Sequence, residues 1–347
     1  MLRTASLYPL CRELEQHLPS LEDRLRQGLA LWLKGTLLAH NGCQDSVAAA
    51  LEMHGCFETV RRELREWTYD DADRILSWGP DREVDVAACF PELLRWVRAL
   101  WTPDRDAPAA APLVLALDPT HHRDEWVALV AGVVYREHAI PVAWHVVAAQ
   151  ARGSWVAHCN RLLRLLAPAV PTGTPVHVLC DQGLGSRDLW HQIRDLGWHP
   201  VLRYPPHITF RPTGGARVPA RDLGGGPGTL WMGTGTAFGR DPLPGTLVVL
   251  HGRDHKEPWL LLTDTPPDRT DADLYACRHW IEQGFRGCKR GGWQWQRARR
   301  TDPVRVARHG LVLAVASLLA VAYGTRCEDA RDRGRAPGRL RRPPDGG

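Results

Sequence analysis

Lysine is nearly missing from this chain. Of 44 basic residues only Lys34, Lys256 and Lys289 are lysines, and the rest are arginine. A formal charge of +5 over 347 residues is only a weak electrostatic pointer to a nucleic-acid partner. The nine cysteines include no C-x-x-C pair, which excludes a zinc ribbon and a disulfide framework and leads us to expect a reducing, cytoplasmic setting. The start, MLRTASLYPLCRELEQ, has no continuous apolar run, so secretion is not expected. Long apolar runs are missing too. The one candidate, HGLVLAVASLLAVAYG at 309–324, is shorter than the roughly 20 residues a membrane span needs, so we read a buried helix and no membrane partner. The glycine-rich GGGPG and GTGTAFG lack the strand-to-helix setting and the Lys-Ser/Thr of a phosphate loop and read as hairpin turns. His121 and His122 are adjacent, point to opposite faces of a strand, and argue against a zinc hydrolase. No internal repeat is present.

The chain is long enough for two or three domains. Residues 1–105 carry apolar residues at helical spacing in LEDRLRQGLALWLKGTLLAH, CQDSVAAALEMHG, CFETVRRELREWTYDDADRILSWG and PELLRWVRALW. Arg61, Arg62, Arg65 and Arg74 in this region would suit phosphates, but a solvated charged helix face is the commoner explanation of such a set. TPDRDAPAAAP, 102–112, reads as a linker. Beyond it the texture turns to strands. LVLALD, EWVALVAGVVYRE and HAIPVAWHVVA are followed by a helix at SWVAHCNRLLRLLA, then by the strand PVHVLCD. A helix at SRDLWHQIRDLG, capped by Ser186, and the strand HPVLRYP complete the series. The order β-β-β-α-β-α-β is that of a mixed α/β sheet. Residues 206–268 form a β-rich insertion of short strands. A helix is expected over 270–290, stopped by Gly291-Gly292, and another over 303–324. The tail, 326–347, is basic and rich in proline and glycine and reads as disordered.

Asp118 and Asp181 each end an apolar strand run. In an α/β sheet, functional groups collect at the carboxyl ends of strands. Two or three carboxylates brought together there could hold the hard divalent cations that phosphodiester chemistry uses. Around them, Asp118-Pro119-Thr120 places a hydroxyl two residues after the first acid. Asp181-Gln182-Gly183-Leu184-Gly185 has glycines where a backbone approaches closely. The third acid lies in YACRHWIEQGFRGCK, 275–289. At helical spacing Tyr275, Arg278, Glu282 and Lys289 fall within one arc of about 60°, and Arg286 joins them. Cys277, Trp280, Ile281, Gly284, Phe285 and Cys288 occupy the other side, as a buried face. One acid among three bases and a phenol suits a carboxylate metal ligand flanked by phosphate clamps.

Asp118 in LALDPT, Asp181 in CDQGLG and Y-x2-R-x3-E-x6-K at 275–289 resemble the signature regions of bacterial DDE transposases of the insertion sequence 4 family. The resemblance covers roughly residues 20–324. It implies a ribonuclease-H-like core over 106–205 and 269–325, interrupted by the β-rich insertion and preceded by an all-helical DNA-binding region. It further implies two Mg²⁺ ions, replaceable by Mn²⁺, held by Asp118, Asp181 and Glu282. Tyr275, Arg278, Lys289 and Arg286 would hold DNA, and Trp231 or Trp259 could stack on a flipped base. The implied reaction is cleavage of terminal inverted repeats through a hairpin and joining to target DNA, within a homodimeric synaptic complex. Two features depart from the family: Leu184 stands where an aromatic is usual, and the chain is short, with a thin C-terminal region. A ribonuclease-H-like nuclease without strand transfer, and a non-catalytic DNA-binding derivative, are the alternatives.

Overall fold

The computed structural model describes residues 7–52, 55–74, 83–100, 112–253 and 256–334. The expected linker, apart from its last residue, and the tail beyond 334 lie outside them. The expected strand and helix order of the core is present. Strands β1 (Leu113–His122), β2 (Trp126–Tyr135) and β3 (His138–Ala148) are followed by helix α6 (Trp155–Leu166) and strand β4 (Val176–Cys180). Helix α7 (Arg187–Asp195) and strand β5 (His199–Tyr204) complete the series. Strand β2 is buried along nearly its whole length, which explains its unbroken apolar sequence. Ser186 caps α7 as expected, its Oγ accepting the Leu189 N–H at 3.1 Å.

Strands β6 (Thr209–Pro212), β7 (Val218–Pro219), β8 (Thr229–Ala237), β9 (Leu243–His251) and β10 (Trp259–Thr263) build the insertion. They extend the core sheet: β10 pairs antiparallel with β5, giving one ten-stranded sheet in the order β3-β2-β1-β4-β5-β10-β9-β8-β6-β7. Strands β1, β4 and β5 run parallel to one another, and the ladders on either side of them, β1 with β2 and β5 with β10, are antiparallel. GTGTA, expected in a turn, lies inside β8. Gly235 is required there because an added Cβ would collide with the Arg211 carbonyl of β6.

The two sheet faces are covered differently. One carries the large core, to which α6, α7 and the long helix α9 (Pro303–Gly334) contribute. The same core takes in α1 (Tyr8–His17), α2 (Asp23–Ala39), α3 (Gln44–Ala50), α4 (Phe57–Trp67) and α5 (Val86–Leu100). The helical N-terminal region therefore has no separate core. It is clasped to α9, where Arg308, 3% exposed, donates to Asp70, Glu83 and the carbonyls of Thr68 and Val84. The opposite face carries a smaller cluster: Ala116, Leu179 and Val201 of the parallel strands, with Tyr275 and Ile281 packed on them. That second cover includes α8 (His279–Arg286).

Three expectations need correction. Strand β1 does not end at Asp118 but continues to His122, paired with β2 along the way. The ladder with β4 stops at Leu117↔Cys180, so Pro119, without an N–H, sits where one side of β1 is unpaired. The segment 270–290 is not one uniform helix. A 3₁₀ turn (Leu274–Arg278), α8 and a π turn (Gly287–Gly291) follow one another. Finally, α9 runs on to Gly334 rather than stopping at 324. No proline interrupts 325–334, and Asp329 is anchored by Arg136 at 2.6 Å. This helix is long and apolar enough to cross a membrane by composition, but 72% of its most apolar window is buried inside the molecule.

Candidate active site

The parallel ladder sets the site. Leu117, Cys180 and Leu202 lie side by side on β1, β4 and β5, so the next residues, Asp118, Asp181 and Arg203, emerge at one level. Side chains two residues apart share a face. The three therefore continue the face of Ala116, Leu179 and Val201, on which α8 packs. The level of the two aspartates was expected from the strand runs; Arg203 was not singled out. Its signal was available as a lone arginine in the apolar run HPVLRYP.

Asp118 is 8% exposed. Burial pushes its carboxyl up to about 7, with Asp181 and Glu282 adding to the rise and Arg278 opposing it. Arg278 bridges two acids: its Nη1 lies 3.3 Å from Asp118 Oδ1, and its Nη2 donates to Glu282 Oε1. The arginine is itself largely buried, 15% exposed. Asp181 is fixed differently. Its Oδ1 accepts the N–H groups of Gly183 at 3.0 Å and Leu184 at 3.2 Å, a local turn that aspartate favours. Gly185 follows, and a Cβ there would strike the Arg203 carbonyl, as the expectation of a close backbone approach required.

Lys289 reaches back to β1. Its Nζ donates to Thr120 Oγ1 and to the His121 carbonyl, both at 2.6 Å. Thr120 shares the face of Asp118, so the two cations from the 275–289 segment meet β1 two residues apart. Tyr275 departs from the expected stripe. It is buried, burial pushes its phenol up to about 12, and its hydroxyl is enclosed without a hydrogen-bond partner. Of the expected buried face, Ile281 and Cys288 are buried while Cys277, Trp280, Gly284 and Phe285 are half-buried. Arg286 is exposed at the end of α8.

The two tryptophans part company. Trp231 packs toward the large core, edge-on to Phe210. Trp259 lies on the acids' face, edge-on to Tyr275 at 5.1 Å and beneath the Arg203 guanidinium at 5.9 Å. His121 is exposed and His122 buried, the opposed directions expected of neighbours on a strand. On α4, Arg61 is engaged by Asp45 at 2.6 Å and Arg62 is exposed. Arg74 turns inward to donate to the Glu66 carbonyl.

Among the described residues no group of three or more His, Cys, Asp or Glu side chains is set closely enough to hold a metal ion. The donor chemistry nevertheless suits one. A buried carboxylate with raised proton affinity, beside two other carboxylates, attracts a hard cation, and the Arg278 guanidinium already bridges two of the three as a cation.

No curated protein matches the chain significantly. The sequence pattern of transposase DDE domains, by contrast, matches residues 118–319, more than half of the 347. The match begins at Asp118, closes within α9, and contains Asp181 and Glu282. The chain belongs to the family of transposase DDE domains.

Proposed function

We propose that this transposase is of the insertion sequence 4 type and cleaves and joins DNA at Asp118, Asp181 and Glu282. The observation that carries the reading is the meeting of Asp118 on β1, Asp181 at the end of β4 and the Arg278–Glu282 pair of the 275–289 segment on one sheet face. The three carboxylates would hold two Mg²⁺ ions, or Mn²⁺ in their place. Such ions activate an attacking oxygen and stabilise the leaving one.

The remaining steps belong to this chain's own groups. Lys289, steadied on Thr120 and the His121 carbonyl, neutralises a backbone phosphate beside the scissile one. Arg203 and Trp259 form a cation-and-ring shelf next to the acids, suited to an unpaired base. Water opens one strand; the freed 3′-hydroxyl attacks the other strand to give a hairpin, which is reopened and joined to target DNA. Terminal inverted repeats and target DNA are the partners. Two ends call for two copies of the chain, acting in the cytoplasm.

A second reading, a non-catalytic DNA-binding derivative, draws on the spacing of the acids, since among the described residues no three ligand side chains are close-set. A labelled duplex carrying the gene's flanking repeats, incubated with the protein and Mg²⁺ or Mn²⁺, separates the readings. Hairpin and joined products support the proposal, and nicks alone indicate a nuclease. Binding without any metal-dependent cleavage favours the derivative.

A further inference from the structure

Arg278 is spent in this structure. Its guanidinium faces two carboxylates, Asp118 across on β1 and Glu282 one turn further along, and it is mostly shut off from solvent. A simple i,i+4 pair on a helix surface would stay exposed and would not reach a buried strand residue. Lys289 is arranged otherwise: its Nζ donates to two neutral oxygens on β1, Thr120 Oγ1 and the His121 carbonyl. Asp181 is held by backbone N–H groups, which leaves its second oxygen outside that turn. Two of the three acids are thus engaged by one side chain, Arg278.

A carboxylate oxygen bonded to a guanidinium cannot also ligate an ion through that lone pair, and the two cations repel each other. A DNA phosphate offers the guanidinium a bidentate partner of at least equal quality. Moving Arg278 to it would leave Asp118 and Glu282 bare beside Asp181, a state that calls for a divalent cation. Resting on the metal reading of these acids, we propose that Arg278 is a gate: it occupies the cation's place in the free protein and yields it when DNA backbone draws it away. Metal loading is thereby coupled to DNA binding. Arg278 acts here through the carboxylates, as a positioning residue.

The test is Mn²⁺ binding to the full chain, followed by the electron paramagnetic resonance of free Mn²⁺, with and without saturating flanking-repeat duplex. Wild type should bind Mn²⁺ weakly alone and about tenfold or more tightly with DNA. Arg278→Gln should bind Mn²⁺ without DNA about tenfold more tightly than wild type does, and DNA should then add little. Arg278→Lys, which keeps the charge but cannot span both acids, should fall between and serves if the glutamine variant does not fold. Asp118→Asn introduced into Arg278→Gln should remove the tight site. If wild type gains Mn²⁺ affinity with DNA but neither Arg278 variant exceeds wild type without it, the gate is wrong and the metal reading stands. If no form binds Mn²⁺ even with DNA, both fall.

Discussion

Two largely buried arginines bridge paired acids in this protein, and they do opposite things. Arg308, on α9, joins Asp70 and Glu83 of the helical region and also donates to two main-chain carbonyls. Its acids are partly solvated, 43% and 49% exposed, and crowd nothing. Arg278 joins Asp118 and Glu282, which stand close to a third carboxylate, and burial makes Asp118 reluctant to ionise. The first arginine is a clasp whose loss leaves polar main chain unpaired. The second relieves a charge problem that the fold creates and that folding alone would not retain. The same residue type in the same kind of pair can thus mark architecture or chemistry, and the company kept by the acids tells which.

The largest effect should come from Asp118→Asn. It should remove metal-dependent cleavage by about a thousandfold or more, as expected when a group acting directly on the reacting phosphate is lost. It should also stabilise the metal-free protein at pH 8. The carboxyl's folded value lies above its unfolded one, so the fold prefers the neutral form and wild type loses stability as pH rises from about 4 to about 7. Thermal unfolding at pH 5 and pH 8 checks this: the variant should gain on wild type only at the higher pH.

Next in size, Arg308→Gln should cost about 3 kcal/mol in urea unfolding, since charged hydrogen bonds to buried carbonyls are lost. Arg278→Gln should cost less, because Asp118 can take up a proton in its place. Equal losses would dissolve the contrast between clasp and gate. A third effect is a pH slope on the clasp side. His309 is fully buried, donating Nε2–H to the Gly42 carbonyl at 2.9 Å, and burial lowers its value to about 3. It is neutral in the fold and protonates in the unfolded chain near 6.5. Its contribution is therefore present above 6.5 and is lost as pH falls toward 3, by up to roughly 1.4 kcal/mol per pH unit. His309→Gln should flatten that slope by one proton. The smallest effect separates the sheet faces. Trp259→Ala should lower cleavage about tenfold if it stacks a base, whereas Trp231→Phe, on the opposite face, should leave cleavage within about twofold.

Much of this was legible beforehand. The apolar runs gave the core order because strands buried on both sides must be continuously apolar, and the last apolar residues of β1 and β4 put Asp118 and Asp181 at one level. The polar stretch DPTHH hides the continuation of β1 past Asp118. Ladder hydrogen bonds come from the backbone, however, and β2 continues to supply them. The stripe over 275–289 assumed one helical pitch. A 3₁₀ start and a π end change the phase, so Tyr275 turns inward while Lys289 still reaches β1. Arg278 and Glu282 survive that error because they stand four apart across the entry to α8. The clasp was hidden for a different reason: Arg308 and Asp70 are 238 residues apart, and no local periodicity connects them.

The part played by the three acids is decided by comparing wild type with Glu282→Gln on the labelled repeat duplex, scoring binding and metal-dependent cleavage in the same samples. Wild type should cleave in Mg²⁺ or Mn²⁺, and the variant should bind the duplex without cleaving it. Cleavage that survives the substitution would contradict this expectation, since the carboxylate paired with Arg278 would then have no part in the chemistry.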